Sequence, residues 1–167
     1  QDLAFFTRQE FIRQGWPDAE VRWDIQSGII SLSIVAAQQE KVGAVAWKGD
    51  VILPEEELRR FLLRPSLQRE GADKNNPVWV ERELQAGVGL VQRRYRAEGY
   101  LQAEVLFQPD ASAGADGLRN ITVVIKSGPR FIFGTVEFTG APPELDRQMR
   151  AQIAQTPGEP FNEARMQ

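Results

Sequence analysis

The residues able to do chemistry in this 167-residue sequence are carboxylates, guanidiniums, amines, hydroxyls and aromatic rings, because it holds neither histidine nor cysteine. Lack of histidine removes the commonest general base, the usual nitrogen ligand for metals and the side chain that titrates near neutrality. Lack of cysteine removes thiolate nucleophiles, disulfides and thiolate metal sites. Acid–base work would fall to the 23 Asp and Glu residues, none of which forms a recognisable catalytic pair. Glu55-Glu56-Glu57 follows Pro54, the pattern of a helix start whose acids face the positive end of the dipole. Arg59-Arg60 and the cluster of Arg93, Arg94 and Arg96 fit solvated helix faces. Gly87-Val88-Gly89 lacks the preceding strand of a nucleotide-binding glycine loop. Serine and threonine have no histidine to activate them. The sequence reads as a non-enzyme, with no catalytic residue, cofactor or metal site expected.

In place of a catalytic set there is a pattern that occurs twice. Gln14-Gly15-Trp16-Pro17-Asp18-Ala19-Glu20-Val21 matches Glu98-Gly99-Tyr100-Leu101-Gln102-Ala103-Glu104-Val105 at an offset of 84 (99 − 15). Val42-Gly43-Ala44-Val45-Ala46-Trp47-Lys48-Gly49 matches Phe133-Gly134-Thr135-Val136-Glu137-Phe138-Thr139-Gly140 at 91 (140 − 49). The change of offset implies seven residues inserted between the matched blocks. Such a period is domain-sized and too long for a solenoid unit. Trp16, Trp23 and Trp47 coincide with Tyr100, Phe107 and Phe138, and Trp79 with Phe161. Aromatics that replace one another at matching positions are expected to pack cores rather than stack a ligand.

The elements that carry this pattern follow from periodicity. Val42 to Trp47 alternates as a strand, and Leu58, Phe61 and Leu62 give a helix from Pro54 one apolar face, ended at Arg64-Pro65. Pro65 to Pro77 is a loop. A second helix over about 78–97 carries Val80, Leu84, Val88, Val91 and Tyr95 in one stripe, weakened at Gly87 and Gly89 and capped at Gly99. Strands with Ala103, Val105 and Phe107, then Ile121, Val123 and Ile125, close the unit around a loop from Pro109 to Gly117. The flanks are partial copies. Residues 2–14 read as a second helix, with strands at Val21-Trp23-Ile25 and Ile30-Leu32-Ile34. Phe133 to Phe138 reads as a first strand. Pro142-Pro143-Glu144 then opens a first helix with Leu145, Met149 and Ile153, and Pro160-Phe161-Asn162-Glu163 starts a second.

Composition sets the outer bounds. Apolar residues at 42% and charged residues at 26% are ordinary for a soluble globular protein. A net charge of −3 argues against a nucleic-acid partner. No apolar run is long enough to span a bilayer, and the start carries no signal-peptide pattern.

The order strand-helix-helix-strand-strand, with Tyr95-Arg96-Ala97-Glu98-Gly99-Tyr100, Ala103 and Val105, then Ile121 to Ile125 before Gly128-Pro129, resembles the POTRA domain. POTRA domains are the polypeptide-transport-associated repeats of the outer-membrane assembly superfamily, including the BamA and TamA types. The resemblance implies an α+β fold of tandem repeats, each β-α-α-β-β with a three-stranded mixed sheet covered on one face by two helices. It divides the chain into a back half at 1–39, a complete unit at 40–129 and a front half at 130–167. Ala37-Gln38 stands where Gly128-Pro129 stands in the next copy, and Lys126-Ser127 replaces the acidic residue common before that glycine.

The family further implies a periplasmic segment ahead of an outer-membrane β-barrel lying outside these residues. Such a segment receives unfolded outer-membrane or secreted polypeptides and docks accessory lipoproteins or periplasmic chaperones. The alternative within the class is a two-partner secretion transporter recognising a passenger. Clients would add as strands to an edge, which the resemblance assigns to Leu101, Gln102, Ala103, Glu104, Val105, Leu106 and Phe107. The two half units match each other's missing parts, Gln1 and Gln167 both aligning with Gln85. They are therefore expected to pair between molecules by domain swapping.

Overall fold

The computed structural model describes residues 2–165. Helix α1 (Asp2–Arg13) is followed by the antiparallel hairpin β1 (Glu20–Gln26) and β2 (Ile29–Val35). The central unit runs β3 (Lys41–Gly49), α2 (Glu55–Leu63), α3 (Glu81–Ala97), β4 (Glu104–Pro109) and β5 (Leu118–Lys126). Its sheet has the order β3-β5-β4, with β3 parallel to β5 and β4 antiparallel to it. This is the α+β arrangement expected of one POTRA unit. Helix α4 (Pro143–Ala151) and a 3-10 turn (Glu163–Arg165) follow.

The core lies between the helices and one face of the sheet. Leu58, Leu62, Leu84, Val91 and Tyr95 from the helices meet Val42, Ile121, Val123 and Ile125 from the strands and Ala103 just before β4, all nearly solvent-free. The helical stripe read from sequence is therefore the buried face of α3. Tyr95 also spends its hydroxyl on the β3–α2 connection, donating to the Asp50 carbonyl at 2.9 Å and accepting from the Ile52 N–H at 3.1 Å.

Several expectations change. Helix α3 starts at Glu81, because Val78 instead bridges Lys41 and Trp79 donates to the Glu40 carbonyl at 2.8 Å. Arg64 stays in the right-handed helical region, so Pro65 does not push it out. The chain continues into a 3-10 turn at Ser66–Gln68. Strand β3 carries a bulge between Val42 and Val45, where Asn120 Oδ1 accepts from the Ala44 N–H at 3.0 Å. The bulge brings Val42, Val45 and Trp47 to one face, which strict alternation forbids.

Gly87 is a packing requirement rather than a weakness, since a Cβ there would lie 1.8 Å from the Leu62 carbonyl oxygen. Trp23 is 47% exposed and packs no core, whereas Trp79 is buried as expected. Residues 133–138 form no strand. The neighbouring Ile132 bridges Pro160, and among the described residues no strand pairs with 133–138. Helix α4 stops at Ala151, short of Ile153. The helix expected from Pro160 is a 3-10 turn as far as described, and Gln1 and Gln167 lie outside the described residues.

Candidate functional site

Strand β4 forms one edge of the central sheet, and its backbone geometry decides which residues another chain could pair with. Leu101 and Gln102 lie in a turn and Ala103 just before the strand, so the paired edge begins at Glu104 and runs beyond Phe107 to Pro109. The Asp110 N–H donates to the Asn120 carbonyl at 3.0 Å, which makes that pair a hydrogen-bonded one. Antiparallel pairs alternate, so Gln108, Leu106 and Glu104 also turn their main-chain groups to β5. Val105, Phe107 and Pro109 turn theirs outward. The other side agrees with this parity: the Ile125 carbonyl opposite Val105 is used by the Asp50 N–H at 2.9 Å, on the β3 side.

The free edge is short and closed at both ends. Ala103 shares the outward parity, but its N–H donates to Tyr100 at 3.0 Å and its carbonyl accepts from Gln92 Nε2 of α3 at 2.7 Å. Pro109 has no N–H to offer. Five groups remain: the N–H and C=O of Val105, the N–H and C=O of Phe107, and the C=O of Pro109. On the inward face, Val105 is 8% exposed and Phe107 stacks on Trp79 at 5.9 Å between centroids. Glu104, Leu106 and Gln108 point to solvent on the other face, Leu106 being 48% exposed.

A polar hub that the sequence did not flag holds this region. The Arg119 guanidinium pairs with the buried Glu40 carboxylate at 3.1 Å and lies 4.6 Å from the Trp79 ring centroid. It also donates to the Asp110 carbonyl at 2.8 Å and the Ala111 carbonyl at 3.1 Å, pinning the hairpin loop to the core. Arg94 joins the helices through Glu57 and Glu98, and those two carboxylates raise its pKa. Arg93 and Arg96 stay exposed on α3, as expected of a solvated face. Ser127 donates its N–H and hydroxyl to Asp50, which holds that carboxyl below its usual range. Among the described residues no group of three or more Asp, Glu, His or Cys is placed to hold a metal. None of their helices is long and apolar enough to cross a membrane.

Comparison with known proteins decides the family. The POTRA model, described as surface antigen variable number repeat, matches residues 40–128, more than half of the sequence. The chain belongs to the POTRA family. The fold is similar to POTRA3-5 of Haemophilus influenzae BamA, with a TM-score of 0.53 at 17% identity over 95% of this chain and 62% of that one. It is similar also to the N-terminal domain of Omp85 from the thermophilic cyanobacterium Thermosynechococcus elongatus, with a TM-score of 0.52 at 17% identity, covering 99% and 68%. No curated protein matches the sequence.

Proposed function

We propose that this POTRA segment works in the periplasm, as part of an outer-membrane protein that assembles or translocates β-barrel or secreted polypeptides. Its client would add as a strand along β4. The observation that carries the reading is the free edge at Val105 and Phe107, set in a family whose members transport polypeptides. Main-chain pairing supports it chemically, because N–H and C=O groups are common to every client and require no particular sequence. Accessory lipoproteins or periplasmic chaperones are the further partners proposed. They would dock on surfaces other than this edge, and the attached barrel would lie outside these residues.

The test replaces the outward donor without touching the β4–β5 ladder. Val105→Pro removes one outward N–H, and proline is tolerated on an edge where its nitrogen faces solvent. A net contribution of about 0.5–1.5 kcal/mol per hydrogen bond gives roughly 2- to 10-fold weaker binding of an unfolded outer-membrane strand peptide. Val105→Ala trims the side chain and keeps the donor, so it should bind close to the parent. Parent-like binding by Val105→Pro, measured by fluorescence anisotropy, would refute the edge as the client site.

The half units are proposed to recognise each other. Ile30 and Ile34 of β2 are 59% and 43% exposed, whereas the matching Ile121 and Ile125 of β5 are 1% exposed beneath α2 and α3. In the complete unit β5 is covered along its edge by the parallel strand β3. Among the described residues the other β3-like segment is 133–138, which pairs with no strand. A second copy supplying that segment to β2 would complete both halves.

A further inference from the structure

We infer that β1 and β4 are twin edges offering a client the same main-chain groups, and that they select different stretches of it through the side chains on their open face. The inference rests on the proposed reading of β4 as the client edge.

The two edges match at the repeat offset of 84 (104 − 20). Ala19 closes the start of β1 as Ala103 closes that of β4. Its N–H donates to the Trp16 carbonyl at 3.3 Å, and its carbonyl accepts from Arg8 Nε of α1 at 3.0 Å. Arg8 stands at the repeat position of Gln92 (92 − 8 = 84). The turn from β1 to β2 consists of Ser27 and Gly28, both at positive φ, so Gln26 and Ile29 form its hydrogen-bonded closing pair. Alternation then turns Val21, Trp23 and Ile25 outward. The Ile25 N–H is taken by Asp24 Oδ1 at 2.8 Å. Ile25 stands where Pro109 stands in β4 (109 − 25 = 84), so the same outward donor is withdrawn from both edges. Each edge keeps the N–H and C=O of its first two outward residues and the C=O of the third.

Identical main-chain groups cannot tell clients apart, so discrimination falls to side chains. Glu104, Leu106 and Gln108 turn their main-chain groups to β5. An antiparallel client therefore meets them in the narrow kind of pair, about 4.5 Å between Cα atoms against about 5.5 Å for the other kind. Side chains directly opposite at that separation interact, and like charges there repel. Leu106 has the half-buried Val124 as its neighbour on β5, so an apolar client residue opposite it extends an apolar row. A carboxylate in that place gains nothing from Leu106. The client runs the other way, so a cation two residues further on meets Glu104. In β1 the same places hold Glu20, Arg22 and Asp24, all exposed. Arg22 favours an acid where Leu106 favours an apolar residue. Glu20 already pairs with Arg22 at 2.9 Å, and Asp24 holds Ile25 and Gln26 of its own strand.

Two capped peptides test this on the full chain, Thr-Val-Leu-Val-Lys and Thr-Val-Glu-Val-Lys, which differ only opposite Leu106 or Arg22. Amide shifts of Val105 and Phe107 in NMR titrations report binding at β4, and those of Val21 and Trp23 report binding at β1. At β4 the leucine peptide should bind roughly two- to fivefold more tightly than the glutamate peptide. At β1 the order should reverse. Leu106→Arg, at an exposed position, should reverse the order at β4 and leave β1 unchanged. N-methylation of the first valine, which lies opposite Phe107, should abolish binding of both peptides at β4 by removing a main-chain donor. Equal affinities for the two peptides, or an unchanged order in Leu106→Arg, with N-methylation still blocking, would overturn the inference and leave the edge reading standing. Binding indifferent to N-methylation would overturn the edge reading and the inference with it.

Discussion

Replacing Gly87 by alanine sets two physical effects against each other, and the geometry fixes the sign. Helix propensity alone favours alanine by about 1 kcal/mol in a helix interior. At Gly87, however, the new Cβ would meet the Leu62 carbonyl oxygen at 1.8 Å and its carbon at 2.7 Å, at least 1.6 Å (3.4 − 1.8) short of ordinary contact. The obstacle is the backbone of α2, so no rotamer change relieves it and the two helices must separate. Overpacking costs about 1–3 kcal/mol, and parting α2 from α3 also loosens Leu58, Leu62, Leu84 and Val91 around the contact. Gly87→Ala is therefore expected to destabilise by about 2 kcal/mol net. Gly89, two residues on, has nothing within 4 Å of the corresponding position. Gly89→Ala should stabilise by about 0.5–1 kcal/mol. Urea unfolding followed by far-ultraviolet circular dichroism measures both variants against the parent at a shared m-value. A Gly87→Ala protein as stable as the parent would refute the reading of close helix packing.

Three further outcomes follow from contacts already described. Tyr95→Phe leaves the Asp50 carbonyl and Ile52 N–H without their partner, and urea unfolding should show a loss of about 1–3 kcal/mol. A loss near zero would mean that water replaces the hydroxyl. The Ser127 N–H and hydroxyl hold the Asp50 carboxyl below its ordinary value of 3.8. It therefore adds stability that is present above that value and is lost as pH falls through the lower, folded-state one. Ser127→Ala should flatten the acid limb of a stability–pH curve below about pH 4, and an unchanged limb would reject this linkage. Pairing of half units should make the mass of the isolated 167-residue chain rise with concentration in light scattering, and Ile34→Lys should suppress that rise. A monomer at all concentrations would dismiss the pairing.

Legibility in the sequence tracked how much each residue depended on neighbours distant along the chain. The α3 stripe from Leu84 to Tyr95 and the alternating Ile121, Val123 and Ile125 were legible, because a single element sets their periodicity. The β3 bulge was not, since it depends on Asn120, which reaches Ala44 from another strand. Gly87 looked like a weak point because propensity is local, whereas its reason is the α2 carbonyl opposite. Residues 133–138 carry a strand pattern and form none, which separates the capacity to pair from the presence of a partner. Part of the candidate edge was legible. Val105 and Phe107 were named, but the limits set by Gln92 and Pro109 need the register of β4 on β5. One available sign was Pro109 itself, which can end an edge by lacking an N–H.

The size of that edge has a consequence for how such a receptor gains affinity. Five outward groups at about 1 kcal/mol each supply roughly 5 kcal/mol, against an association cost of about 4–15 kcal/mol. On the proposed reading, one unit alone holds a client weakly and releases it easily. Affinity must then come from several edges acting on one extended chain, where the second contact forms at the effective concentration set by the first.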